Sequence, residues 1–293
     1  MIWLIISLIS NVIEQLLIVH VMSSMEMVTF IALFYLFSMV FTFGYHLNSR
    51  KSDDFMKWTD INQNKFLFGG YIGGAFLGNL FWFMAILMIG VGMTAFILVF
   101  IKILTTSYSY KFMQDRFTVD KAISFAVGIL ALLVFSFSGA EASLLGVALA
   151  FMSCFGFASE VIFRKKLVDN NVNPASAILT RATAMFGLWG VIFLSGVIIG
   201  TQSFANIISL DITTLLLIIL TAFIGGFIVH LAIFLGMKNV KVSQYESLMS
   251  IKPVLLALGG VFFFSETITL MQSIAGAVII LSTFYFLKSK KAP

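Results

Sequence analysis

Six side chains have the types and positions to handle a charged small molecule: Glu14, Lys102, Glu160, Arg181, Tyr245 and Lys252. All six lie inside apolar runs. A charge at the centre of a bilayer costs about 2.5–3.5 kcal/mol on insertion scales, so each ionisable residue there calls for a partner or a task. Lys102 and Lys252 stand 150 residues apart. Each falls about nine residues from either end of its run, too deep for ready snorkelling. They read either as substrate-binding cations or as structural lysines tied to helical carboxylates. Arg181 lies about two turns beyond Pro174, so an interfacial position competes with a site role. Glu14 and Glu160 stand 146 residues apart. Glu14 shares a face with Asn11 at i−3, whereas Glu160 has Arg164 at i+4 as a ready partner. Tyr245 falls two turns before Lys252, on the same face.

Ammonium and guanidinium groups take carboxylates, and carboxylates take amines, so buried charges of both signs suit a zwitterion. Four secondary candidates carry blander alternatives. Asn11 accompanies Glu14, Trp82 is either a packing residue or part of an aromatic cage for a cation, His230 reads equally as a core histidine, and Glu246 as a cap at a helix start. Pro253, beside Lys252, frees a carbonyl one turn earlier near Met249 and is a candidate hinge, with a packing kink as the alternative. Cys154 reads as a small core residue. No residue is nominated as catalytic and none as a metal ligand: His20, His46 and His230 are dispersed, with no His-Glu-x-x-His or Asp-x-Asp pattern.

The elements that must carry these groups follow from composition. The chain has 293 residues, of which 60% are hydrophobic and 11% charged, with a mean hydropathy of +1.05. So few charges cannot clothe a water-exposed surface, and apolar runs of about twenty residues, the length that crosses the hydrocarbon, recur throughout. The runs are continuous rather than alternating, which selects helices over a barrel. The spans predicted are 2–22, 27–46, 66–89, 92–110, 119–138, 143–163, 176–199, 212–234, 243–264 and 268–287. The first run carries Glu14 and lacks a basic leader and a cleavage motif, so it reads as a retained helix.

Basic residues orient these ten spans. Fifteen of the 18 Lys and Arg fall on one side, in the second, fourth, sixth and eighth loops and the tail. Arg50, Lys51, Lys57 and Lys65 lie in the second loop, and Arg164, Lys165 and Lys166 in the sixth. The opposite loops carry none, which places both termini in the cytoplasm. The exceptions are Lys102, Arg181 and Lys252.

Short echoes recur at a spacing near 150 residues: Tyr71-Ile72-Gly73-Gly74 with Phe223-Ile224-Gly225-Gly226, Ile101-Lys102 with Ile251-Lys252, and Asp115 and Thr118 with Glu266 and Thr269. They divide the chain into halves 1–138 and 139–293, the second ending in a short basic tail, within one structural unit. Five helices is an odd number, so the halves run in opposite senses: an all-α integral membrane protein of two inverted five-helix repeats, with a site expected at the midplane between them.

The stretch Ile251-Lys252-Pro253, Phe264-Ser265-Glu266-Thr267-Ile268-Thr269, Gln272 and Gly276-Ala277-Val278-Ile279-Ile280 resembles the last two helices of EamA-type members of the drug/metabolite transporter superfamily. Asp115-Arg116-Phe117-Thr118 followed by Gly128 resembles the same element in the first half, which departs from the pattern at Ile103, where the second half has Pro253. The resemblance implies ten helices, cytoplasmic termini and substrate translocation. It leaves the substrate open among amino acids, drugs, organic cations, cofactors and nucleoside-like metabolites.

The function expected is therefore secondary transport, by alternating access, of a small polar, zwitterionic, amino-acid-like metabolite or amino-acid/nucleoside conjugate across a bacterial cytoplasmic membrane. The alternatives are an organic cation or hydrophobic drug as cargo, a membrane-embedded enzyme acting on lipid-linked substrates, and a non-transporting receptor. The expected partners are the small-molecule substrate, membrane lipid, and a coupling proton or exchanged metabolite, with no nucleic acid and no cofactor. The sequence has no Gly-x-x-x-x-Gly-Lys-[Ser/Thr] loop for ATP.

Overall fold

Every regular element among the described residues of the computed structural model is helical. Residues 1, 50–63, 114–118, 138–142, 239, 241, 250–251 and 289–293 lie outside the description, as do some further side chains, those of Glu246 and Pro253 among them. Asp115, Thr118 and Ile251, used above in the repeat, are therefore not placed. The helices are α1 (Ile2–Met22), α2 (Met27–Asn48), α3 (Lys65–Ile97), α4 (Phe100–Met113), α5 (Val119–Phe137), α6 (Leu144–Asp169), α7 (Pro174–Ile198) and α8 (Ala205–Ile208). α9 (Ile212–Thr221) then runs through a π-helical segment (Ala222–Val229) into α10 (His230–Met237), and α11 (Val242–Met249), α12 (Lys252–Phe264) and α13 (Leu270–Lys288) follow.

Among the described residues, six helical stretches are long and apolar enough to cross a membrane: α1, α2, α3, α6, α7 and the continuous stretch Ile212–Met237. Their outward faces are apolar, with Leu87 at 60%, Val191 at 63% and Phe262, in the shorter α12, at 77% exposure. Surfaces of this kind are stable only against lipid.

Helix ends are set by local chemistry. Asn173 caps α7, its Oδ1 accepting from the Ala175 amide at 2.7 Å, with Pro174 in the first turn, where its missing N–H costs nothing. α13 opens with a reciprocal capping box: the Thr269 amide donates to Gln272 Oε1 at 3.0 Å and the Gln272 amide to Thr269 Oγ1 at 3.2 Å. α3 contains a sharp bend at Gly90, whose φ of 75° only glycine adopts freely; the expected break between the third and fourth spans falls here.

The chain forms two compact units: Met1–Ile72 with Lys165–Asn239, and Gly73–Arg164 with Val240–Pro293. Each draws on both sequence halves. In the first, α2 packs along α7, and α1 along α9, the π-helical segment and α10. In the second, α5 packs along α13, and α4 meets α11 and α13. There α6 also crosses α3 at glycines: a Cβ added at Gly74 would lie 2.6 Å from the Glu160 backbone nitrogen, and one at Gly156 would strike the backbone of Gly78. Gly74 and Gly78 are four residues apart, the small-xxx-small spacing that lets two membrane helices touch backbone to backbone.

Candidate functional site

In the first unit the chemistry centres on α1 and the π-helical segment. Glu14 is half-buried and accepts a hydrogen bond from Asn11 Nδ2 at 3.3 Å. Its carboxylate occupies the space that a side chain at Gly225 would fill, and Ser38 of α2 does the same at Gly226. The adjacent glycines of the π-helical segment thus form two seats, one for a carboxylate and one for a hydroxyl. π-Helical turns are rare and concentrate at functional positions, because the extra residue per turn re-aims the backbone. The segment is also wedged by aromatics, with Phe41 against Phe223 at 5.1 Å and Tyr45 against Phe227 at 5.3 Å between ring centroids. His230, buried, begins α10 directly after it.

Arg181 is in the same unit, on α7, and is only 4% exposed. Its guanidinium lies over the Tyr71 ring, 6.0 Å from the centroid, at the outer limit of a cation–π contact.

The second unit holds Trp82, Lys102, Glu160, Tyr245 and Lys252. Lys102 is 5% exposed and Tyr245 6%; α4 and α11, which carry them, pack together. The sequence puts Lys102 mid-helix, whereas the structure makes it the third residue of α4. The cause is a turn of tighter winding: the Ile101 amide donates to Leu98 at 3.1 Å and the Lys102 amide to Val99 at 3.2 Å, both i→i−3 bonds. Nearby, the Cys154 thiol lies 3.3 Å from the Ala150 carbonyl of its own helix and 3.5 Å from that of Ile97. Lys252 is half-buried and is the first described residue after 250–251. Trp82 is 2% exposed and packs against Phe83 with ring centroids 4.9 Å apart and planes tilted by 56°, inside the protein rather than against lipid.

Glu160 is 4% exposed and ion-paired with Arg164, itself 3% exposed. Of the alternatives open for Glu160, pairing one turn along its own helix is the arrangement present.

A further carboxylate does work that its loop position hid. Glu266 accepts from the Val91 and Gly92 amides, one on each oxygen, both at 2.6 Å. These are orphan amides beyond the Gly90 bend, where a helix N-terminus favours negative charge. Gly90, Gly92 and Gly260 leave room for the carboxylate: a Cβ at any of them would come within 2.7 Å of it. Gln272, 1% exposed, adds a contact from its Nε2 to Met93 Sδ at 3.5 Å. The Glu266…Thr269…Gln272 pattern is thus a structural clasp within this unit. Tyr71, the π-helical segment and Gln15 were not anticipated as site features; Gln15 left a mark in the sequence as a polar residue beside Glu14 in an apolar run, and the segment left only its two glycines.

An all-helical chain with several lipid-length apolar helices and ionisable residues of both signs within them is a multi-pass membrane protein. Residues 144–288 match the EamA-like transporter family, the EamA type of the drug/metabolite transporter superfamily that the sequence resembles. Two curated relatives are each named "Probable amino-acid metabolite efflux pump". One, from Salmonella typhimurium strain LT2, is 26% identical over 54% of this chain and 53% of its own; the other, from Escherichia coli strain K12, is 24% identical over the same shares. The chain thus spans about half the length of the curated relatives it matches. A solved crystal structure of 15% identity superposes with a TM-score of 0.65 over 97% of this chain and 95% of its own, a likeness of fold alone.

Proposed function

We propose that this protein is a secondary transporter that moves an amino-acid-like zwitterion across a bacterial cytoplasmic membrane. It does so by alternating access, with ten crossings arranged as two inverted five-helix repeats, 1–138 and 139–293, and both termini in the cytoplasm. The observation that carries the reading is charge of both signs held inside the spans: Lys102 and Arg181 buried, Lys252 and Glu14 half-buried. Such groups are expensive in hydrocarbon and are kept where a polar cargo must be met. Cations of this kind suit the carboxylate of a zwitterion, and Glu14 suits its amine. The substrate named for the relatives, an amino-acid metabolite, agrees with this chemistry, and their direction, efflux, becomes our reading of direction here. Coupling to a proton or to an exchanged metabolite replaces ATP, and Tyr245 joins Lys102 and Lys252 as a substrate contact. Pro253, beside Lys252, is the proposed hinge.

The test is thermal stabilisation of the detergent-purified protein by amino acids, their nucleoside conjugates, organic cations and phosphorylated metabolites, repeated on Lys252→Ala and Glu14→Ala. A bound ligand stabilises by mass action, so the compound that shifts melting identifies the class. Zwitterions that stabilise the wild type and neither variant, and that are taken up by liposomes holding the protein, support the reading. Stabilisation by purely cationic or apolar compounds, with Lys252→Ala responding normally, overturns it in favour of an organic-cation or drug carrier.

A further inference from the structure

The buried stripe of α1 runs through Leu4, Leu8, Ile18 and Met22, and at its middle, halfway across the span, stand two amides. Gln15 is 93% buried, and Asn11 lies one turn before it on the same face. The carbonyl oxygens of both side chains, Gln15 Oε1 and Asn11 Oδ1, are shut off from solvent with no hydrogen-bond partner among the described residues. Leucine at these positions would continue the stripe at no polar cost, whereas a buried acceptor left unmade carries its full desolvation penalty. Glu14 completes the cluster, held to Asn11 at 3.3 Å and seated in the Gly225 notch.

We propose that Asn11, Glu14 and Gln15 form the subsite for a primary ammonium group, with Gln15 as a specificity-determining residue. The inference rests on the zwitterion reading above and deepens it at the amine end. A primary ammonium carries three N–H donors and no acceptor. The cluster offers it one carboxylate and two amide oxygens, one acceptor for each donor. Seated there, the ammonium gains charge-assisted hydrogen bonds, and both amides lose their orphan state. Each methyl on the nitrogen removes a donor, so a tertiary ammonium leaves two of the three acceptors unmet and a quaternary one leaves all three. The pocket therefore selects by donor count and not by charge alone.

The measurement is binding, read as thermal stabilisation of the purified full chain, of isoamylamine, its N,N-dimethyl derivative, leucine, leucine methyl ester and N-acetyl-leucine. Wild type is expected to bind isoamylamine and the methyl ester, to bind the dimethylamine about tenfold more weakly, and to ignore the acetylated compound. Gln15→Leu should weaken primary amines about tenfold, erase the preference over the dimethylamine, and leave the ligand-free melting temperature unchanged or raised. A merely structural glutamine would give the opposite: a lowered melting temperature with the preference intact. Gln15→Met serves where leucine does not fold.

Equal binding of primary and tertiary amines, absence of any amine binding, or stabilisation by sodium chloride over potassium chloride that is lost in Gln15→Leu each overturns the proposal. Isoamylamine binding with the donor preference while leucine fails would sink the zwitterion reading and leave the subsite standing. Leucine binding without the preference would do the reverse.

Discussion

The two units use acid and glycine in contrasting ways. Glu14 and Glu160 are 146 residues apart, and Gly74 and Gly226 are 152 apart, so the pairs are mates under the proposed repeat. In the second unit, α6 reaches the backbone of α3 at Gly74 and Gly78, and the Glu160 side chain turns along its own helix to Arg164. In the first unit, the glycines are wound into a π-helical segment, and what enters their notches is side chain, Glu14 and Ser38, rather than backbone. One glycine site has become a packing joint and the other a seat for a functional group. The difference teaches that a glycine pair in a membrane helix is ambiguous until the atom that fills the notch is known.

The largest effect should come from breaking the ion pair of the packing joint. Arg164→Ala leaves the Glu160 charge buried without its guanidinium and should cost about 3–5 kcal/mol, measured by thermal or denaturant unfolding in detergent. The double replacement Glu160→Met with Arg164→Leu should recover most of it, because an apolar pair needs no mutual solvation. Glu14→Gln, by contrast, should melt near the wild type and fail in liposome uptake. A loss of stability in Glu14→Gln as large as in Arg164→Ala would break the comparison, since both acids would then be structural.

The glycines give the next test. Gly156→Ala pushes a methyl into the Gly78 backbone, which has nowhere to go, and should cost about 1–3 kcal/mol as overpacking does elsewhere. Gly225→Ala meets the Glu14 side chain, from its Cγ to its carboxylate, which can swing away as backbone cannot. Its melting temperature should fall less than that of Gly156→Ala, and its uptake more. The reverse ranking would mean that the π-helical segment is held for packing and that Glu14 merely fills a gap.

Much of the architecture was legible in the sequence because bilayer thickness imposes run length, and run length is countable. The end of the third span at Gly90 and the pairing of Glu160 with Arg164 follow from local rules that need no partner helix. What was not legible depends on a neighbour. Lys102 reads as mid-helix from its run, but an i→i−3 turn precedes it, where the Ile97 carbonyl comes within 3.5 Å of Cys154 Sγ on another helix. Arg181 is buried because α7 packs along α2, and the ring beneath it, Tyr71, stands 110 positions earlier in the chain. The π-helical segment has no sequence mark beyond its two glycines, since ordinary α-winding would satisfy the same hydrogen bonds.

The smallest expected effect sharpens the comparison at the outer end of the helix that leads into the functional seat. Asp211 caps α9, its carboxylate accepting from the Thr214 amide at 2.9 Å and the Thr214 hydroxyl at 2.6 Å. These bonds, the hydroxyl's first, hold its carboxyl below the ordinary aspartate range. A carboxyl whose folded-state value is depressed adds stability above its unfolded value, near 3.9, and loses it as pH falls through the lower folded value. The stabilisation of wild type over Asp211→Ala should therefore be small and flat at neutral pH and should shrink only in acid, below about pH 4. Melting curves across that range decide the matter: a difference that persists undiminished into strong acid would show that the Asp211 side chain acts by shape rather than as an ionised cap. The π-helical segment would then owe nothing to charge at the start of α9.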